Sequence, residues 1–214
     1  MQTARIAELL APFLEAPPGP SAALSEAQLR QVAAYLELLL RWNARINLTA
    51  VRDAEGMVTR HFGESLFAAR LLLAPESSAS VIDLGSGAGF PGLPLKIFAP
   101  GVALTLIESN QKKAAFLKEV VRALALTGVN VFAGRAEDFS SAAELVTMRA
   151  VERYEQALGV AAGLVAAGGR LALLVGAVQA ERTPPALGDF SWRPAIAVPQ
   201  SSARVLLVGT KLSG

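Results

Sequence analysis

Apolar residues recur along this chain with two different periods, and the change from one to the other falls near Pro75. Upstream the period is helical. Ser25-Glu26-Ala27-Gln28 matches a capping box, in which two side chains satisfy first-turn backbone donors. Leu29, Val32, Ala33, Leu36, Leu39 and Leu40 follow at helical spacing to near Trp42. Leu36–Leu40 is more apolar than one face requires, which implies packing on two sides. Met57–Leu73 is predicted as a second helix, with Phe62, Leu66, Ala69 and Leu73 on one face. An apolar, helix-compatible stretch precedes both. It ends at Ala16-Pro17-Pro18-Gly19-Pro20, which cannot continue a helix.

Downstream, short apolar runs alternate with helical ones. Strands are expected at Val81–Leu84, Val102–Ile107, Val129–Ala133, Leu145–Met148 and Arg170–Val175. Helices are expected at Leu93–Phe98, at Gln111–Leu126 with Asn110 as cap and Gly128 as stop, and at Glu152–Ala166. Ala195–Val198 and Arg204–Val208 read as a terminal strand pair, and Arg182–Pro185 as a loop. Repeated β-α units imply an α/β fold with a doubly wound, mainly parallel sheet. The expected organisation is a helical extension over residues 1–75 and a Rossmann-like core over 76–214, together one compact body.

The alternation begins at Val81-Ile82-Asp83-Leu84-Gly85-Ser86-Gly87-Ala88-Gly89-Phe90-Pro91-Gly92. A strand ends in an acid, turns through glycines and meets a proline suited to a first helical turn. Gly85, Gly87 and Gly89 accept positive φ and carry no Cβ to hold a ligand away. A nucleoside-containing cofactor is therefore expected over this turn. Residues 87–92 fit the G-x-G-x-x-G dinucleotide fingerprint. Residues 83–89 fit the D-x-G-x-G-x-G pattern of S-adenosyl-L-methionine (AdoMet) methyltransferases.

Composition narrows the chemistry. The 214 residues include no cysteine and one histidine, so thiolate sites, thiol nucleophiles and histidine-cluster metal sites are excluded, and no metal is expected. A net charge of +2 permits an RNA substrate without demanding one. No segment reads as a membrane span or signal peptide, so a cytoplasmic protein is expected.

Ligands in such sheets lie beyond the carboxyl ends of the strands. Glu108, ending the second strand, suits ribose hydroxyls of either AdoMet or NAD. After the third strand, a backbone N–H at Ala136 and an acceptor on Glu137 or Asp138 suit an adenine edge. Hydride transfer would want a proton donor, but Tyr154 has no lysine four residues on, and His61 stands alone outside the β-α repeat. AdoMet brings its own electrophile, so methyl transfer is favoured. Pyrimidine C5 would need a cysteine. Exocyclic amines are usually served by an Asn- or Asp-Pro-Pro-aromatic motif, where this chain has Thr147-Met148-Arg149-Ala150. Guanine N7 needs only alignment and a donor toward O6 or a phosphate, which Arg149 offers. The alternative for Arg149 is a structural ion pair, for instance with Asp83 or Glu108. A small-molecule or protein substrate, or a non-catalytic ribosome-assembly role, stays open at this point.

Several stretches together resemble the RsmG (GidB) family of bacterial small-subunit rRNA guanine-N7 methyltransferases. They are Trp42–Thr49 with its Asn47-Leu48-Thr49, Arg60-His61-Phe62-Gly63-Glu64-Ser65-Leu66, Asp83–Leu95, Leu106–Asn110, Arg135-Ala136-Glu137 and Arg149-Ala150-Val151. The resemblance implies a class I AdoMet-dependent methyltransferase fold acting on N7 of a guanosine in 16S rRNA, within the assembled or assembling 30S subunit, as a monomer. It places the methionine side at Gly85, Gly87 and Gly89, within a segment whose expected cofactor contacts also include Asp83, Ser86 and Phe90. It places the ribose at Glu108, the adenine at Ala136 and Glu137, and the target guanosine at Arg149, which is also expected to touch the cofactor. Asn47, Arg60 and His61 would face the substrate. The chain departs from the family pattern at Glu64, where aspartate is usual, at Met148, and at Val175-Gly176, where many members carry Lys-Gly. A cation expected near the RNA is therefore missing from position 175.

Overall fold

The computed structural model describes residues 1–151 and 153–212. In α1 (Thr3–Glu15), Ile6, Leu10, Phe13 and Leu14 form one buried stripe. The Pro/Gly cluster that follows has few donors to offer the last carbonyls of this helix. One buried side chain supplies them. Arg70 donates to Phe13 O at 2.8 Å, Pro18 O at 3.1 Å and Pro20 O at 3.0 Å, and also to Ala16 O. The next helix, α2 (Glu26–Ile46), starts at the expected capping box and runs a turn past Trp42 to Asn47, which ends it at φ 50°.

The single helix expected over Met57–Leu73 is three pieces: α3 (Ala54–Met57), a π-helical segment Val58–Gly63, and α4 (Glu64–Leu72). Leu73 lies beyond it in extended backbone. A π segment rotates every later residue relative to α-helical spacing, so periodicity cannot register it. Thus α4 is buried on all sides from Glu64 to Arg70 rather than along one face. Gly63 lies so close to Phe13 that an added Cβ would sit 2.6 Å from the ring.

The sheet follows. Strands β1 (Ser80–Leu84), β2 (Ala103–Ile107), β3 (Val129–Phe132), β4 (Ala143–Arg149) and β5 (Val165–Gly176) run parallel. After them come β6 (Phe190–Trp192), β7 (Ile196–Ala197) and β8 (Arg204–Lys211), and β8 pairs antiparallel with β5, β6 and β7. The order is β3-β2-β1-β4-β5-β8-β6. The chain moves outward from β1 to β3, then returns across β1 to β4, so the reversal of strand order falls between β1 and β4. The connecting helices are α5 (Gly92–Phe98), α6 (Gln111–Ala123), α7 (Tyr154–Gly163) and α8 (Ala177–Ala186).

Two expectations of the later chain change. Glu152, the expected start of the seventh helix, lies outside the described residues; α7 ends at Gly163, and Val165 already belongs to β5. Residues Arg182–Pro185 are not a loop but the last turn of α8. Pro184 and Pro185 lack backbone N–H groups and bring the helix to its end at Ala186, where Leu187 N donates to Pro184 O. The short edge strand β6 was not anticipated, since three residues carry no readable alternation.

One hydrophobic cluster joins the N-terminal helices to α5, α6 and one face of the sheet, with Tyr35, Phe62 and Phe116 fully buried in it. A second lies on the other face under α7 and α8. Among the described residues no helix is long and apolar enough to cross a membrane.

Candidate active site

Leu84 pairs with Ile107 on one side and Met148 on the other. The next residues, Gly85, Glu108 and Arg149, therefore leave the carboxyl ends of three adjacent strands together. They line one cleft of about 1010 Å³ at the reversal of strand order. Ser86, Gly87, Phe90, Ala136, Glu137, Arg60 and His61 also line it.

The glycine bend and Glu108 are one hydrogen-bonded unit. Glu108 Oε2 accepts from Gly87 N at 2.8 Å, and its Oε1 accepts from Asn110 N at 2.7 Å. Two backbone donors thus hold a carboxylate at the cleft wall while leaving further lone pairs on both oxygens. At Gly87 the φ is +55°, and nothing but Gly85 O, at 3.8 Å, lies within 4 Å of where a Cβ would be. That side of the bend is open to a ligand.

Three of the expected site residues do not line the cleft. Gly89, also at positive φ, faces inward: a Cβ there would collide with the Tyr35 hydroxyl and lie 2.5 Å from Leu93 Cδ1. Its role is close packing under the bend, where Tyr35 donates to Ala88 O and stacks on Phe90 at 5.3 Å between centroids. Asp83 is fully buried, accepting from Thr147 Oγ1 at 2.8 Å and from Gly92 N at 3.2 Å. It ties the start of α5 to β4 and supports the bend from beneath. Asn47 is the left-handed helix end of α2, exposed, with its Oδ1 accepting from Arg52 at 3.0 Å.

Burial pushes the Asp83 carboxyl up to about 6, against hydrogen bonds from Thr147, Gly92 and Ser86 and the charge of Arg149. The folded value lies above the ordinary 3.8, so the folded state favours the protonated acid. Its contribution is full below about pH 4 and is lost as pH rises through about 6. Asp83→Asn cannot ionise and is expected to remove that decline from thermal melts taken across the same window. A variant whose melting temperature tracks the parent's throughout would contradict the assignment.

The opposite wall is a cluster of charge. Arg149 pairs with neither Asp83 nor Glu108, the partners considered from sequence, but with Glu64. Its Nη2 donates to Glu64 Oε2 at 2.9 Å and to Arg60 O at 2.6 Å, and meets His61 Nδ1 at 3.3 Å. Arg204 Nε lies 3.4 Å from the other oxygen of Glu64. Burial is the main influence throughout: it raises Glu64 and lowers Arg149 to about 10, while the nearby opposite charges act against both shifts. His61 falls to about 3, through burial and then the guanidiniums of Arg149, Arg60 and Arg204, so its imidazole is neutral. Arg149 Nε has no hydrogen-bond partner although it is buried. An unpaired buried donor at a cleft wall is what a ligand acceptor would satisfy.

Periodicity and motif matching missed Arg204, Glu64 as a partner, and Thr49, all brought in by tertiary packing. Val175 is buried in the second core cluster, on the face away from the N-terminal helices. Its neighbour Gly176 pairs with Arg204 across the antiparallel β5–β8 ladder. Arg204 reaches Glu64 from this same end of the sheet, on the face opposite Val175.

Comparison with known proteins gives consistent matches. A family model described as GidB, rRNA small subunit methyltransferase G, matches residues 28–185. The ribosomal RNA small subunit methyltransferase G of Chloroflexus aggregans is 40% identical over 204 residues, covering 89% of this chain and 84% of its own. The protein of that name from Xylella fastidiosa is 42% identical over 160 residues, covering 74% of each chain. The solved structure of a predicted O-methyltransferase from Agrobacterium tumefaciens is similar in fold, with a TM-score of 0.56 at 22% identity over 69% of this chain and 80% of that one.

Proposed function

The chain belongs to the rRNA small subunit methyltransferase G family, and we propose from that premise how its cleft performs the family's reaction. It is an AdoMet-dependent enzyme that methylates N7 of a guanosine in small-subunit rRNA. The residues present fit the cofactor: the open backbone at Gly87 and the carboxylate of Glu108 share one wall of the cleft. When bound, AdoMet supplies an electrophilic methyl group on a sulfonium.

The chain's own residues do the rest. Gly85, Ser86 and Gly87 present bare backbone to the methionine portion, and Phe90 closes that end. Glu108 accepts the ribose hydroxyls with the lone pairs its backbone donors leave free. Ala136 and Glu137 border the adenine. Guanine N7 attacks with an in-plane lone pair and carries no proton, so no general base is required. Neutral His61 is consistent with that, and proximity and alignment carry the rate. Arg149 donates toward guanine O6, while Glu64 neutralises it. Arg60, His61 and Arg204 form the substrate-facing wall.

RNA docking is supported by charge around the cleft. Arg52, Arg60, Lys113, Arg135, Arg153 and Arg204 line it alongside the acids Asp53, Glu108 and Glu137. Lys112, Lys118 and Arg122, the other cations of α6, do not line it. Phosphate neutralisation by such a rim makes binding weaken as salt rises. The substrate context is the assembled or assembling 30S subunit in the cytoplasm. A monomer is favoured because, among the described residues, the exposed large apolar side chains are only Met1, Val178 and Leu212, far too few for a dimer face. Residues 1–75 act as the helical cover that completes the cleft, and 76–214 as the methyltransferase core.

The observation that carries this reading is the single cleft holding the open bend, Glu108 and the Arg149–Glu64–His61 cluster. Mapping N7-methylguanosine in 16S rRNA by primer extension tests it. The modification is expected to disappear when the gene is deleted and return with the wild-type copy. Full modification in the deletion strain would reject it. Methylation of isolated subunits against deproteinised rRNA then decides the substrate context.

A further inference from the structure

Arg149 is held by a chain of hydrogen bonds that begins well away from it. Asn43, buried in α2, clamps the loop after Asn47 from both sides: its Oδ1 accepts from Thr49 N at 2.8 Å, and its Nδ2 donates to Val51 O at 3.2 Å. The Thr49 hydroxyl lies 2.7 Å from His61 Nε2, and His61 Nδ1 lies 3.3 Å from Arg149 Nη2. A guanidinium has only donors, so a bare Nδ1 suits the contact with Arg149, against the Arg60 carbonyl, which favours a ring N–H. In a neutral imidazole the proton is then on Nε2, pointing at Thr49 Oγ1. Phe90 packs on the ring, which projects from the π-helical segment, at 5.1 Å between centroids.

We propose that Thr49 is a positioning residue for the methyl transfer: it keeps the His61 proton on Nε2, so that a bare Nδ1 faces Arg149 Nη2, whose two hydrogens go to Glu64 Oε2 and Arg60 O. The Nδ1–H tautomer, or the imidazolium, would set an N–H against the guanidinium and push it aside. The three guanidiniums facing the ring work the same way. Arg149 from β4, Arg60 from the π segment and Arg204 from β8 oppose its protonation, while Glu64 is engaged by Arg149 and Arg204. The proposal rests on the methyltransferase reading for what Arg149 does, but its geometry can be tested apart from turnover.

His61 is the chain's one histidine, so its ring nitrogens are unambiguous in a long-range proton–nitrogen correlation spectrum of the labelled protein. The expected pattern at neutral pH is the neutral Nε2–H tautomer. An Nδ1–H or imidazolium pattern overturns the proposal. Thr49→Val is expected to give mixed tautomers and to lower kcat on small subunits by roughly tenfold, with KM for AdoMet changed by less than about threefold. Thr49→Ser restores the hydroxyl and is expected to recover both the tautomer and kcat. A Val variant with parental kcat, or a Ser variant that recovers neither, overturns it. If the Val variant does not fold, the parental spectrum and the Ser variant still decide. A parental protein with the Nε2–H pattern that fails to methylate rRNA would instead count against the function.

Discussion

Arg149→Ala is expected to lower methylation of small-subunit rRNA by on the order of 10²-fold or more, because it removes an oriented donor from a buried wall of the cleft. AdoMet affinity should stay within about threefold, a change of well under a kcal/mol. The same substitution leaves Glu64 buried with Arg204 as its remaining ion-pair partner. Breaking a buried pair in this way costs about 3 kcal/mol of stability, so lost activity alone would be ambiguous. The double variant Arg149→Met with Glu64→Gln separates the two effects. It should recover most of the stability by removing the buried unpaired carboxylate, since Arg204, which then loses its partner, is part-exposed, and recover none of the turnover. Near-parental kcat in either variant would remove Arg149 from the reaction. Lost AdoMet binding in a folded Arg149→Ala would place it against the cofactor rather than the guanosine.

The second large effect lies far from the cleft. Arg70→Leu is expected to cost about 3 kcal/mol, by stripping a charged donor from four carbonyls at the junction of α1 and the Pro/Gly cluster. For a chain of this length that corresponds to a fall of roughly 10 °C in melting temperature. Arg70 also lies over the Phe67 ring at 5.0 Å and is buried without a carboxylate within salt-bridge distance among the described residues. Lysine carries one nitrogen where arginine presents a fork, so Arg70→Lys should recover only part of the loss. A melting temperature within about 2 °C of the parent's for Arg70→Leu would show that water replaces these bonds at little cost.

Much of the architecture was legible because its causes are local. The capping box at Ser25 and Gln28, the Asn110 cap, the glycine bend and the alternation of strand and helix each depend on neighbours a few residues apart. They therefore stand in the structure close to where the pattern put them. The same holds for Gly85, Gly87 and Glu108, because a bend after β1 and an acid after β2 must meet once those strands are parallel neighbours. Where several residues were read as a block, the block was too coarse. Gly89 and Asp83 share the motif with Gly87 but turn inward, and only the surrounding Tyr35, Leu93 and Thr147 decide that.

From its order of residues alone, then, the chain determined its helical front, its doubly wound sheet and the bare-backbone bend at the sheet's reversal. Local hydrogen bonding and side-chain periodicity act over a few residues and can be read along a line. The tertiary structure alone decided that Arg149 pairs with Glu64, that Arg204 reaches the other oxygen of Glu64, and that Thr49 reaches His61. Those contacts join residues from 12 to more than 80 positions apart. A single π turn, invisible to any spacing rule, separates the α3 register from that of α4 and presents Arg60 and His61 to the cleft. Direction in space, not proximity in sequence, is what such contacts obey.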